Sequence, residues 1–296
     1  MTTHILVTGS NGQLGSEIRQ VADRQHANGE KSHTRFYCAD RATLDITDAA
    51  AVETFCRDNA INIIINCAAY TAVDTAESEP TVADAINHIG AKNLATAARK
   101  QNISLVHIST DYVFSGHGCR PYRPSDDTAP TNVYGTSKLA GEKAILDECP
   151  DNSVIIRTAW VYSSFGKNFV KTMLTLAEKH AQLRVVADQV GSPTYAADLA
   201  EAIMKILPQL NHRGVKTYHY SNAGVCSWYD FAVSIFELSG TACDVSPITT
   251  EDYPTPAGRP PYSVMHTADF QADFEIRIPH WRESLKHCLA ALDNNG

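Results

Sequence analysis

Tyr134 and Lys138 stand four residues apart in the run Val133-Tyr134-Gly135-Thr136-Ser137-Lys138. On a helix, positions i and i+4 share a face, so the phenol and the ammonium become neighbours. A free phenol ionises near pH ~10. The adjacent positive charge predicts a lower value and a general acid closer to working pH. Upstream, Ser109-Thr110-Asp111-Tyr112 follows an apolar run. A hydroxyl at the C-terminal end of a strand, such as that of Thr110, can orient a carbonyl. Y-x-x-x-K alone occurs often by chance. Its weight here comes from order: a glycine-rich loop, then a strand ending in Ser-Thr, then Y-x-x-x-K.

The glycine-rich loop is Gly9-Ser10-Asn11-Gly12-Gln13-Leu14-Gly15, directly after the apolar run Ile5-Leu6-Val7. Gly9, Gly12 and Gly15 meet three needs of a dinucleotide site: a tight turn, close approach of backbone to pyrophosphate, and close helix–strand packing. The following helix offers free N–H groups and its positive dipole end. The second strand ends at Ala39-Asp40-Arg41. An acidic group there reaches the adenosine ribose and favours NAD, whereas an arginine accommodates the 2′-phosphate of NADP. Both are present, so NADH and NADPH stay open as the cofactor. Asp40 alternatively caps a turn. Asp45-Ile46 is expected beside the adenine, with Asp45 or Thr47 as N-cap of the next helix the other reading.

These residues need a scaffold. Strand-like runs at 5–8, 35–39, 61–66, 104–109 and 153–158 alternate with helix-like stretches at 14–23, 49–59, 81–101 and 132–148. The strands are short continuous apolar runs, as in Ile61-Asn62-Ile63-Ile64-Ile65, which implies burial on both faces. The fold class is therefore α/β: a doubly wound parallel sheet of the Rossmann type with right-handed crossovers. Further helices are expected at 167–180 and 196–207. The expected division is a dinucleotide-binding domain over 1–160, with 188–221 returning to it. A smaller C-terminal substrate-binding lobe takes 161–187 and 222–296, with 292–296 as a tail.

The chain of 296 residues is 44% hydrophobic and 20% charged, enough for a full core without staples. A net charge of −8 argues against a nucleic-acid surface. The eight cysteines form no C-x-x-C pair and read as small buried hydrophobes of a reducing compartment. Neither a signal peptide nor a membrane-spanning run is apparent, so the expected location is the cytoplasm.

Together these motifs resemble the extended short-chain dehydrogenase/reductases, and within them the dTDP-4-dehydrorhamnose reductase family. The resemblance covers nearly the whole chain. It is carried by NCAAYTAVDTAESEP, STDYVFSG, VYGTSKLAGE, RTAWVY, NFVKTML, DQVGSPT, SWYDFA and YPTPAGRP. It implies that Thr110, Tyr134 and Lys138 form a catalytic triad. It implies that Asn87 completes a proton relay through a water near the lysine; a helix-packing asparagine is the alternative. Gly12, Gln13 and Leu14 match the pyrophosphate loop, and Ala69, Tyr70 and Thr71 match the segment that passes along the cofactor. Asp111 and Trp160 match substrate-contacting positions, against the simpler roles of strand-end turn residue and core aromatic. Some members bind magnesium at a dimer contact, but Ala197 stands where they carry an acid, so no metal is expected. A homodimer stays open. The implied reaction is reduction of the C4 ketone of dTDP-4-dehydro-L-rhamnose by NAD(P)H. Two other readings are a sister reductase for another dTDP-deoxysugar and a non-catalytic NADP-binding regulatory subunit of the methionine adenosyltransferase type.

A dTDP-sugar carries a diphosphate, so an acidic protein must place fixed positive charge against it. Arg259 lies in the stiff loop Pro254-Thr255-Pro256-Ala257-Gly258-Arg259-Pro260-Pro261. Its planar fork suits a diphosphate. The alternative is a surface pair with Glu251 or Asp252.

Overall fold

The structure is a computed structural model and describes residues 2–27 and 34–293; the end of the expected tail lies outside the described residues. β1 (Thr3–Thr8) passes through the glycine loop into α1 (Gln13–Ala27). Then follow β2 (Thr34–Ala39), α2 (Ala49–Asp58), β3 (Ile63–Asn66), α3 (Ala91–Gln101), β4 (Ser104–Thr110), α4 (Val133–Glu148) and β5 (Ser153–Thr158). The later chain forms α5 (Phe169–Ala177), β6 (Gln182–Val186), α6 (Ala196–Ile206), β7 (Val215–His219), α7 (Trp228–Ser239), β8 (Asp244–Ile248), α8 (Ala268–Phe274) and α9 (Trp281–Asp293).

Six strands pair in the order β7-β5-β4-β3-β1-β2, every pair parallel. β1 lies between β2 and β3, so the chain leaves it to one side and later returns to the other. That reversal opens a crevice beyond the strands' C-terminal ends, where ligands of such sheets bind. Side-chain alternation assigns each strand residue to a layer. Ile5, Val7, Ile65, Val106, Val154 and Ile156 pack with α1, α6 and α8 on one face. Leu6, Ile64, Leu105 and Ile155 pack with α2 and α3 on the other. Burial on both faces is why these strands read as unbroken apolar runs.

β7 is not evident in the sequence. It is an edge strand with a single partner, β5, so Lys216 and Thr217 break its apolar pattern without cost. The helix expected over 81–101 is interrupted. A short helix Pro80–Asp84 leads into a π-helical turn, Ala85–Gly90, before α3 begins. Such turns displace side chains from the ordinary helical register, and this one carries Asn87. The N-cap of α2 is Asp48, which accepts from the N–H groups of Ala50 and Ala51, so neither Asp45 nor Thr47 caps that helix. All eight cysteines are free, but only Cys56, Cys226 and Cys288 are buried; Cys38, Cys67 and Cys243 are half-buried, and Cys119 and Cys149 are exposed.

A third cluster forms around Tyr162, Val170, Tyr195, Phe231, Trp281 and Leu285. It joins α5, α7 and α9 beyond the sheet. Phe270, Phe274 and Ile278, from a stretch expected in that lobe, instead join the cluster under the sheet.

Candidate active site

The crevice is a cleft of about 810 Å³ lined by Gly12, Gln13 and Leu14 from the start of α1, by Ala69 and Thr71 after β3, and by Thr110 and Asp111 after β4. Tyr134 and Lys138 reach it from α4, Trp160 from the turn after β5, and Arg259 from the proline-rich loop. A smaller adjoining depression of about 250 Å³ holds Gly9, Gly12, Asp40, Arg41, Asp45, Ile46 and Ala69. Most of the residues singled out in the sequence therefore share one continuous groove. Gly15, Tyr70 and Asn87 line neither part.

The glycine loop is closed by a Gly12 N–H donating to the Gly9 carbonyl at 2.9 Å. Gly9 has φ +64°, and a Cβ there would fall 2.6 Å from the Ala68 nitrogen. A Cβ on Gly15 would fall 2.4 Å from the Gly9 carbonyl oxygen. Gly15 thus lets α1 close onto the loop, and the unpaired N–H groups of its first turn stand at the cleft. This bare cradle ahead of a helix start fits a pyrophosphate. Asp40 does cap a turn: Oδ1 accepts from the backbone N–H and hydroxyl of Thr43, and Oδ2 from Asn11. Those bonds to Thr43 hold its carboxyl below the usual range. Asp45 is held the same way by Thr47, and Arg41 reaches it at 3.8 Å while staying 80% exposed.

Helix α4 is clamped to the ends of β4 and β5. Arg157 donates two buried hydrogen bonds to Glu142, with Nε at 2.9 Å from Oε1 and Nη2 at 2.7 Å from Oε2. The Ser109 hydroxyl donates to the same carboxylate at 2.5 Å. Gly141 lets α4 approach the π-turn, since a Cβ there would sit 2.2 Å from the Asn87 carbonyl oxygen. The Asn87 side chain pins the post-β3 segment. It accepts from the Tyr70 N–H at 2.8 Å and donates to the Tyr70 carbonyl and the Ser137 hydroxyl. The Tyr70 phenol turns away and donates to Glu79.

Tyr134 and Lys138 both end in the cleft, yet the phenol moves opposite to the sequence expectation. Burial pushes Tyr134 up to about 12, with Thr110 beside it pulling the other way. Burial draws Lys138 down to about 8, and its ammonium donates to the Ile108 carbonyl at 2.7 Å. Desolvation penalises each charged form more than the neighbours support it. The Thr110 hydroxyl donates to Asp111 Oδ1 at 3.0 Å and accepts from the Tyr112 N–H. Asp111 is 2% exposed; its Oδ2 is buried with no hydrogen bond at ordinary distance, and Ser263 stands close enough to support its charge. Burial pushes this carboxyl up to about 7.

Trp160 is neither a plain core residue nor free. Its φ of +49° is unusual for a bulky side chain. Its ring stacks on Trp228 with centroids 3.6 Å apart. Gly191 permits this, because a Cβ there would meet the Trp160 ring at 2.7 Å. Arg259 pairs with neither Glu251 nor Asp252. Its two terminal nitrogens each bond Asp74 at 2.7 Å. Trp228, Phe169 and Tyr112 also line the cleft; none of the three is a candidate from the sequence, where each stands as one aromatic without a pattern.

A parallel sheet with a glycine cradle at its reversal, and a Thr-Tyr-Lys set across the cleft, defines a Rossmann-type short-chain reductase framework. The chain belongs to the family described as RmlD substrate binding domain, whose pattern matches residues 3–294. A spore coat polysaccharide biosynthesis protein, SpsK, of Bacillus subtilis is 44% identical over 97% of both chains. The dTDP-4-dehydrorhamnose reductase of Sinorhizobium fredii is 41% identical, again over 97% of both. A crystal structure of dTDP-4-dehydrorhamnose reductase from Bacillus anthracis, in complex with NADP, superposes with a TM-score of 0.92. It is 38% identical and covers 98% of this chain and 100% of that one.

Proposed function

We propose that the protein reduces the C4 ketone of dTDP-4-dehydro-L-rhamnose to dTDP-L-rhamnose with NADPH or NADH. The observation that carries the reading is the joining of the glycine cradle and the Thr110–Tyr134–Lys138 cluster in one cleft. Full-length similarity to named reductases supports the substrate. The loop Gly9–Gly15 and the start of α1 would hold the pyrophosphate, and Asp40, Arg41, Asp45 and Ile46 the adenosine half. A bound reduced nicotinamide supplies hydride. Thr110 and Tyr134 then have separate tasks. The Thr110 hydroxyl would turn its one proton from Asp111 to the carbonyl oxygen and fix it, and Tyr134 gives that oxygen its proton. A phenol held near 12 is fully protonated at working pH, while an alkoxide forming at the ketone is more basic still, so the transfer runs downhill. Lys138 steadies the phenolate left behind. Asp111 would accept a sugar hydroxyl, and Trp160 would pack against the ring. Arg259 would exchange one arm of its Asp74 pair for the diphosphate.

No helix among the described residues is long and apolar enough to cross a membrane. A nucleotide-sugar reductase of this kind works in the cytoplasm. The test is substrate-dependent loss of NAD(P)H absorbance on adding a dTDP-4-dehydro-6-deoxy sugar. Oxidation at a steady turnover is expected. A chain that binds NADPH tightly but never oxidises it would instead be a regulatory subunit.

A further inference from the structure

A buried chain of polar side chains crosses three strands beneath the cleft. The Thr8 hydroxyl of β1 donates to Asn66 Oδ1 of β3 at 2.7 Å, and the Ala68 N–H donates to the same oxygen at 3.1 Å. A backbone N–H can only donate, so these contacts fix which amide atom is oxygen. The Asn66 nitrogen then faces His107 Nδ1 of β4 at 2.9 Å. That amide NH₂ can only donate, so Nδ1 is the acceptor and the neutral ring carries its proton on Nε2. Nε2 lies 3.4 Å from Lys138 Nζ. His107 is 1% exposed. Burial holds it well below its ordinary pKa, and the Lys138 charge pushes it further the same way, so the ring stays neutral.

An N–H aimed at Nζ matches a free amine, which has a lone pair to accept it, and opposes an ammonium, which does not. We propose that His107 is a positioning residue for Lys138. The Thr8–Asn66–His107 chain locks an N–H against Nζ and lowers the pH at which this lysine gives up its proton. The catalytic meaning rests on the reductase reading above; the tautomer lock does not. Other groups facing Nζ push the opposite way. Glu142, already paired with Arg157, and the Cys67 thiol both favour the ammonium. The Ile108 carbonyl, 2.7 Å away, likewise supports the ammonium more than the amine. None of these groups favours the amine; burial draws the lysine down, and the His107 N–H at 3.4 Å acts in the same direction.

The experiment is NMR on the full-length protein without cofactor or substrate. Long-range ¹H–¹⁵N spectra should find His107 protonated at Nε2 and bare at Nδ1 across the neutral range; a proton on Nδ1 overturns the proposal. The ¹³Cε resonance of Lys138, assigned by its loss in Lys138→Met, reports the amine's titration. In His107→Leu the midpoint should rise by about one pH unit, a tenfold gain in proton affinity, the scale of one net hydrogen bond between neutral groups. Leucine adds no solvation, so a merely structural role would leave the midpoint unmoved or lower it, and either result overturns the proposal. His107→Gln should keep the wild-type midpoint, because Asn66 orients its Oε1 and leaves its NH₂ toward Nζ. A rise in the Gln variant is contrary. Should the Leu variant fail to fold, the tautomer and the Gln variant still decide. An inactive chain with the expected tautomer would sink the reductase reading and leave this one standing.

Discussion

Tyr134 and Asp111 face one cleft, and burial raises the pKa of both. Replacing Tyr134 with Phe keeps the ring against Tyr112, whose centroid is 5.4 Å away, and removes only the proton donor. Turnover should fall by about 10²–10⁴-fold, the usual worth of a general acid, with the Kd for NADPH nearly unchanged. Rapid-quench kinetics and fluorescence titration check the two halves. Asp111 yields a stability prediction. Its carboxyl titrates near 7 in the fold and near 3.9 when unfolded. Between those values the unfolded state has lost a proton that the native state keeps. Stability therefore declines as pH rises through that window and is level above it. Asp111→Asn keeps an oxygen for Thr110 and removes the buried charge. Its melting temperature should exceed that of the wild type at pH 8, and the gap should close towards pH 4. A gap independent of pH would remove Asp111 from this role.

The elements place these residues more firmly than the motif alone implies. Arg157 and Ser109, at the ends of β5 and β4, hold Glu142 on α4, the helix that carries both Tyr134 and Lys138. Glu142→Ala would strand a buried guanidinium and should cost about 3–5 kcal/mol in urea denaturation. A loss under ~1 kcal/mol would mean the pair is not buried in solution. The sequence displayed α4 and the five strands β1 to β5 clearly, because continuous apolar runs and glycine spacing are local signals. It hid Asn66 and His107, single polar residues inside apolar strands, whose partners lie on other strands. It hid the pairing of Arg259 with Asp74, which joins positions far apart in the chain. The phenol pKa was read in the wrong direction because a pattern shows the neighbouring lysine and not the desolvation around both. Trp160 appeared only as an aromatic; its left-handed backbone is a property of the folded turn.

Across the whole molecule, the site residues lie along one groove, and ligand affinities should separate along it. Arg259→Ala should raise KM for the dTDP-sugar strongly and leave the Kd for NAD(P)H unchanged. The 21% exposure of the Arg259 side chain in its pair with Asp74 means that added salt should reduce this difference only a little. Equal constants in variant and wild type would leave Arg259 as a structural tie to Asp74. At the far end, Asp40→Ala should shift the kcat/KM ratio towards NADPH, because it removes a carboxylate that repels a 2′-phosphate while Arg41 remains. An unchanged ratio would detach Asp40 from the ribose. The central claim is hydride delivery to a sugar ketone within this cleft. It is tested most directly with cofactor deuterated at the transferring C4 position of nicotinamide and dTDP-4-dehydro-L-rhamnose. The account predicts one deuterium at C4 of the 6-deoxysugar product by NMR, and none in Tyr134→Phe on the same timescale. Cofactor oxidation that leaves the sugar's C4 unlabelled would contradict it.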